Sequence, residues 1–169
     1  MVCRYKDDVY DRIWMPNRFN KWTQLSSTLD PGGDLLQNKY KPPKVVMSTA
    51  ATPINPSAPL DFYWDSNNVN EGFYIYMHFN DVEKLATNET RTFNIFMNNK
   101  LFYGPLAPGY QTTTTIFSKE AMTGATTYQF SLVKTETSTL PPIMNALEIY
   151  KVIYFPRSET EQDDGMLYI

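Results

Sequence analysis

Hydrophobic and polar residues alternate over several short runs of this chain, and few windows carry a helical period. In Phe73–Phe79, Phe73, Ile75, Met77 and Phe79 fall on one face, while Tyr74, Tyr76 and His78 fall on the other. That period of two predicts a strand with two distinct faces. Thr90–Asn98 repeats the pattern, with Phe93, Ile95 and Met97 opposing Thr92, Asn94 and Phe96. Asn98-Asn99-Lys100 follows, and because asparagine tolerates positive φ it predicts a hairpin turn into Leu101–Tyr103. Tyr128, Phe130 and Leu132 alternate with Gln129, Ser131 and Val133. Pro141-Pro142 then fixes two φ angles and withholds two backbone donors, ahead of a second apolar run at Ile143–Phe155. Val45–Ser48, Thr112–Ser118 and Asn145–Phe155 read as further strands rich in β-formers.

Helical signals are sparse, because 12 prolines are scattered from Pro16 to Pro156. Asp81–Leu85 (DVEKL) is the best helical candidate, with Asp81 as a cap and Leu85 packing. Two stretches read as irregular: Asn17–Tyr40, carrying Pro31-Gly32-Gly33, and Thr52–Asn70, carrying Pro53, Pro56 and Pro59. Many strands joined by Pro, Gly and Asn turns describe an all-β, jelly-roll-like sandwich with long Pro-rich loops and at most one or two short helices. The domain is expected over residues 4–157, followed by an acidic, unpacked tail over 158–169.

Composition narrows the function more than the fold. A chain of 169 residues suits one domain and buries roughly 70% of its unfolded surface, enough for a core without staples. Aromatic content of 15% suits a sheet protein. A net charge of −3 gives no electrostatic footprint for nucleic acid, and no basic cluster marks a membrane surface. Cys3 is the single cysteine, so a disulfide framework is excluded and the compartment is not legible from it. No apolar stretch approaches the ~20 residues of a membrane span. The opening MVCRYKDDVYDR does not read as a signal peptide, so direct membrane insertion by this chain is not expected.

Six ordered segments resemble one family. Tyr10-Asp11-Arg12-Ile13-Trp14 and Trp22-Thr23-Gln24-Leu25-Ser26 look like its YDRIW and W-T-x-I/L-S elements. Tyr40–Pro53 is similar to its Y-x-P-P-x-x-V-M-x-T-A-x-T-P run, and Tyr74–Phe79 to its Y-x-Y-x-H-F strand. Asn88-Glu89-Thr90-Arg91 through Gly104-Pro105 resembles N-E-T-R-x-F-x-I…G-P, and Leu140–Tyr150 resembles L-P-P-I-x-N-A-x-E-I/V-Y. The family is the malectin-like ectodomain of plant leucine-rich-repeat receptor-like kinases, and the resemblance spans roughly residues 4–164. It implies the second of two tandem malectin-type sandwiches. It also implies a non-catalytic module at the extracellular face of the plasma membrane, recognising a peptide, a cell-wall glycan, or a receptor or co-receptor ectodomain. Repeats, membrane helix and kinase do not follow in this sequence, so a partial or truncated product is expected. Thr137-Ser138-Thr139 stands where relatives often carry a sequon.

Candidate chemistry is thin. His78 is the single histidine, so no His-based metal cluster is expected and the imidazole reads as structural. No G-x-S-x-G, phosphate-binding glycine loop or dinucleotide fingerprint occurs. The neighbouring carboxylates Asp7-Asp8 and Asp163-Asp164 lie near the termini, on segments expected to be mobile and unsuited to paired-carboxylate catalysis. No catalytic residue and no cofactor are expected. Asn88-Glu89-Thr90 is the one valid glycosylation sequon, since Pro56 disqualifies Asn55. Tyr10, Asp11, Arg12 and Trp14 are the candidate ligand contacts, because a guanidinium forks onto a carboxylate and an indole stacks on a sugar. A buried Asp11–Arg12 ion pair under a tryptophan lid is the structural alternative. Malectin itself binds a glucose disaccharide through loop aromatics and acids, which find no numbered counterparts here. Two further readings stay open: a lectin domain, and a structural half-domain whose apolar face meets a partner sandwich.

Overall fold

The computed structural model describes residues 3–17, 19–28 and 38–154. Its strands are β1 (Trp22–Ser26), β2 (Thr49–Pro53), β3 (Leu60–Asp65), β4 (Phe73–Phe79), β5 (Phe93–Met97), β6 (Lys100–Leu106), β7 (Thr114–Phe117), β8 (Thr127–Lys134) and β9 (Ala146–Lys151), with one helical turn, α1 (Lys44–Met47). They form a four-stranded sheet ordered β3-β8-β5-β6, a three-stranded sheet ordered β7-β4-β9, and a β1-β2 pair. Every pairing between these strands is antiparallel.

Alternation explains why the two larger sheets pack face to face. Phe73, Ile75, Met77 and Phe79 are buried on β4, and Phe62, Phe93, Ile95, Tyr128, Phe130 and Leu132 are buried on the other sheet, all in one cluster. Phe79 meets Phe93 at 5.6 Å and Phe73 meets Tyr128 at 5.5 Å between ring centroids, so aromatic pairs join the sheets. Register makes further pairs within a sheet. Phe62 faces Phe130 and Trp64 faces Tyr128 across β3 and β8, with their rings stacked at 5.2 Å in both cases. Each such pair contributes about 0.5–1.5 kcal/mol beyond its buried area.

The Asn98-Asn99 turn forms as expected, with φ of 46° and 65° and Met97 paired to Lys100. Other elements depart from expectation. Val45–Ser48 is no strand: α1 occupies it, because the Pro43 carbonyl accepts from Val46 and Met47 N–H and Met47 is buried against Ala146 and Trp14. Packing thus overrides the β-propensity of two valines. Asp81–Leu85 is no helix. Asp81 Oδ1 does accept from Glu83 N–H, but its backbone pairs with Gly109 and Gln111 instead of continuing a helical turn. The stretches expected to be irregular contain strands, β1 in the first, and β3 with the end of β2 in the second. Pro31-Gly32-Gly33 and the 158–169 tail lie outside the described residues.

One end of the sandwich is closed by a buried ion pair. Arg91 Nε donates to Asp81 Oδ2 at 2.8 Å, while its other nitrogens reach the Pro141 carbonyl and Glu83. Both Arg91 and Asp81 are almost fully buried. Removing one partner strands the other charge, which costs about 3–5 kcal/mol. Arg91→Ala is therefore expected to lower unfolding free energy by about 3–5 kcal/mol in urea titrations, and a loss below about 1 kcal/mol would contradict this role.

Candidate functional site

The second face of β4 builds the site together with β9. Register places Tyr74 opposite Tyr150 and Tyr76 opposite Glu148. His78 is fully buried at the end of the row. Its Nε2 lies 2.8 Å from Glu148 Oε1 and its Nδ1 lies 2.9 Å from Thr115 Oγ1. The Tyr150 hydroxyl donates to the other Glu148 oxygen. Tyr40 closes one side, with its ring 5.3 Å from Tyr76 and 5.6 Å from Phe117.

The amino-terminal segment lies across this row. Cys3 and Trp14 exchange both backbone hydrogen bonds at 2.9 Å, which folds the segment back on itself. Arg12 then points into the sheet. It donates to Glu148 Oε1 at 2.7 Å, to Asp8 Oδ2 at 3.0 Å, and to the carbonyls of Tyr40 and Lys41. The guanidinium carbon lies 5.1 Å from the Tyr10 ring centre and 5.0 Å from that of Trp14, within cation–π range. Trp14 Nε1 donates to Asp8 Oδ2 at 2.7 Å, and the Tyr10 hydroxyl donates to the Lys39 carbonyl at 3.0 Å.

Both carboxylates of this network are held below their ordinary range. Burial pushes Glu148 upward, but hydrogen bonds from His78 and Tyr150 and the charge of Arg12 outweigh it. Burial pushes Asp8 upward as well, and hydrogen bonds from Arg12, Trp14 and the Tyr10 amide outweigh it. The Tyr150 hydroxyl is pushed up by burial and by its bond to Glu148.

Above the network opens a cleft of about 360 Å3, lined by Tyr10, Arg12, Tyr40, Tyr74, Tyr76, Glu148 and Tyr150. That is at the small end of the range for ligand pockets, roughly 300–1,000 Å3. Its charged floor is already saturated from within the protein, so the chemistry it offers is aromatic faces and phenol hydroxyls. Among the described residues no group of three His, Cys, Asp or Glu side chains is placed to hold a metal ion.

The sequence profile described as malectin-like domain matches residues 1–152. The chain belongs to the malectin-like domain family. It is 47% identical over 164 residues to the probable LRR receptor-like serine/threonine-protein kinase At5g59680 of Arabidopsis thaliana, covering 95% of this chain and 18% of that protein. To the Arabidopsis LRR receptor-like serine/threonine-protein kinase IOS1 it is 39% identical over 170 residues, covering 98% of this chain and 19% of the relative. The chain thus spans under a fifth of the length of these relatives. Among solved structures it superposes on the plant receptor-like kinase ANX2 with a TM-score of 0.70 at 19% identity, covering 91% of this chain and 46% of that one. The crystal structure of the peptide RALF23 in complex with FER and LLG2 gives a TM-score of 0.62 at 17% identity, covering 86% and 44%. These similarities show the fold.

Of the four ligand contacts expected from sequence, Tyr10 and Arg12 line the cleft and Asp11 and Trp14 do not. The Asp11–Arg12 pair does not form. Asp11 has φ of 49° and faces outward to Arg4. Asp8, expected on a mobile terminus, is buried and is the true partner of Arg12. Tyr74 and Tyr76 read from sequence as sheet-face residues, and nothing in the sequence marks Tyr40, Glu148 or Tyr150 as their companions in a cleft. The alternation of β4 already put Tyr74, Tyr76 and His78 on one face, but only the pairing with β9 supplies the carboxylate.

A carboxylate depressed in the fold stabilises it above its unfolded pKa, about 3.9 for Asp and 4.3 for Glu, and that stability is lost as pH falls through the folded value. Melting temperature is therefore expected to hold near neutrality and to fall below about pH 4. Glu148→Gln should melt lower at neutral pH and show a shallower acid-side decline. Thermal melts between about pH 3 and 7 check this, and an unchanged acid slope in the variant would contradict it.

Proposed function

We propose that this malectin-like domain is a non-catalytic ligand-recognition module of a leucine-rich-repeat receptor-like kinase, working on the extracellular side of the plasma membrane, with the tyrosine cleft as its contact surface. The observation that carries the reading is the cleft itself, walled by tyrosines from paired strands and floored by charges that already have partners. Tyrosine supplies rigid amphipathic contact area at low entropic cost. Both oxygens of Glu148, the carboxylate lining the cleft, are engaged by His78, Arg12 and Tyr150, which leaves that group no free oxygen for acid–base work. Peptide and co-receptor partners gain support from the similar fold found in a complex of RALF23 with FER and LLG2.

A glycan ligand is the second reading, and the same tyrosine faces favour it, since the apolar face of a pyranose stacks on an aromatic ring. Calorimetric titration separates the two. The folded domain is titrated with glucans, diglucosides and pectin fragments, and separately with a panel of secreted plant peptides that includes RALF23. Saturable heat from one set, weakened about tenfold (about 1.4 kcal/mol) by Tyr74→Ala at unchanged melting temperature, is the expected result. Tyr74 suits the test because its ring joins no aromatic pair among the described residues. Absence of heat from every member of both sets would sink the reading.

A further inference from the structure

The sequon at Asn88 is not among the residues lining the cleft and has a geometry of its own. Ala86, Thr87, Asn88 and Glu89 form a tight turn in which Glu89 N–H donates to the Ala86 carbonyl at 3.0 Å and Glu89 Oε2 accepts from Ala86 N–H at 2.9 Å. Asn88 is exposed in that turn, and its side chain hydrogen-bonds nothing among the described residues. Two residues on, Thr90 is exposed to solvent but hydrogen-bonded at every polar atom. Its N–H donates to Thr139 Oγ1 at 2.8 Å, its hydroxyl donates to the Thr137 carbonyl at 2.9 Å, and that hydroxyl accepts from Thr139 N–H at 3.2 Å. Its carbonyl accepts from the N–H groups of Thr139 and Leu140.

We propose that Asn88 carries an N-linked oligosaccharide and that it is attached before residues 135–140 pair with Thr90. The acceptor motif demands a hydroxyl two residues after the asparagine, so the transferase must read that hydroxyl. In the folded domain its proton and one of its lone pairs are already engaged, and the flanking backbone is locked in the same ladder. The unfolded chain offers both freely. In the transfer, Asn88 Nδ2 bonds to the anomeric carbon of an oligosaccharide carried on a lipid pyrophosphate. The bond from that carbon to the pyrophosphate oxygen breaks, its electron pair leaves with the lipid pyrophosphate, and one amide proton passes to a base of the transferase. Once attached, the glycan projects from an exposed turn and displaces no native contact. The site rests on the extracellular placement proposed above and on nothing about the ligand.

Expressed behind a secretory leader in plant cells, the purified chain should show an intact mass that falls by one oligosaccharide on treatment with a peptide N-glycosidase active on plant-type cores. Asn88→Gln should show no such shift at unchanged melting temperature. A wild-type mass that glycosidase treatment leaves without the loss of an oligosaccharide, or the same loss from Asn88→Gln, would overturn the site. The order of events is read separately. The unglycosylated folded chain from bacteria, and a tryptic digest of it that releases Leu85–Arg91, are each offered to solubilised oligosaccharyltransferase with its lipid-linked donor. Transfer to the digest but not to the folded chain is expected, and equal transfer to both would overturn the ordering. No ligand is present in either assay, so a failed binding titration and a failed glycosylation are distinguishable.

Discussion

Burial strips water from Glu148, and a buried carboxylate is tolerated only when its oxygens meet donors. That requirement organises one whole side of the domain. His78 comes from the neighbouring strand and Tyr150 from two residues along the same strand, but the strongest donor, Arg12, comes from far away in sequence. Because Arg12 also engages Asp8 and the carbonyls of Tyr40 and Lys41, satisfying one carboxylate fixes three segments at once. The sheet supplies the charge, and the loops are held in place by answering it.

Answering it also sets the terms of the recognition proposed for the cleft. Each ion at the floor is partnered, but one guanidinium, Arg12, answers two carboxylates, Asp8 and Glu148, so the floor keeps a modest negative field. In the proposed role, discrimination rests on shape and on the orientation of the tyrosine rings above that field. Tyr74, Tyr76 and Tyr150 stand on paired strands, and Tyr76 is further packed against Tyr40, Phe117 and Tyr150. Such walls are preorganised, so the proposed binding would cost little ordering of the protein.

Much of the fold was legible in the sequence because period-two alternation states directly which residues face a core. Phe73, Ile75, Met77 and Phe79 did so, as did Tyr128, Phe130 and Leu132, and the Asn98-Asn99 turn followed from backbone chemistry. Leu60, Phe62 and Trp64 carry the same alternation, yet the surrounding prolines masked it. The helix expected at Asp81 failed for another reason. Its capping chemistry was real, but long-range partners at Arg91 and Gly109 took the residue over. The site was half legible. Tyr10 and Arg12 stood out as residues, while Asp8 and Glu148 became partners only through strand pairing and a backbone bridge between Cys3 and Trp14, neither of which leaves a local signal.

Arg12 and Arg91 solve the same problem at two places in the fold. A chain with 12 prolines runs through many segments that cannot satisfy their own carbonyls through a ladder or a helix. A guanidinium presents a planar fork of donors on one rigid group, so a single side chain serves carboxylates and carbonyls together. Arg91 ties Asp81, Glu83 and the Pro141 carbonyl, whereas Arg12 ties Asp8, Glu148 and two carbonyls of the 40–41 turn. A lysine, as a compact point charge, reaches only part of either set. Irregular segments are thereby stapled onto a regular sandwich without disulfides, and the staple at Arg12 happens to form the floor on which the tyrosine cleft stands.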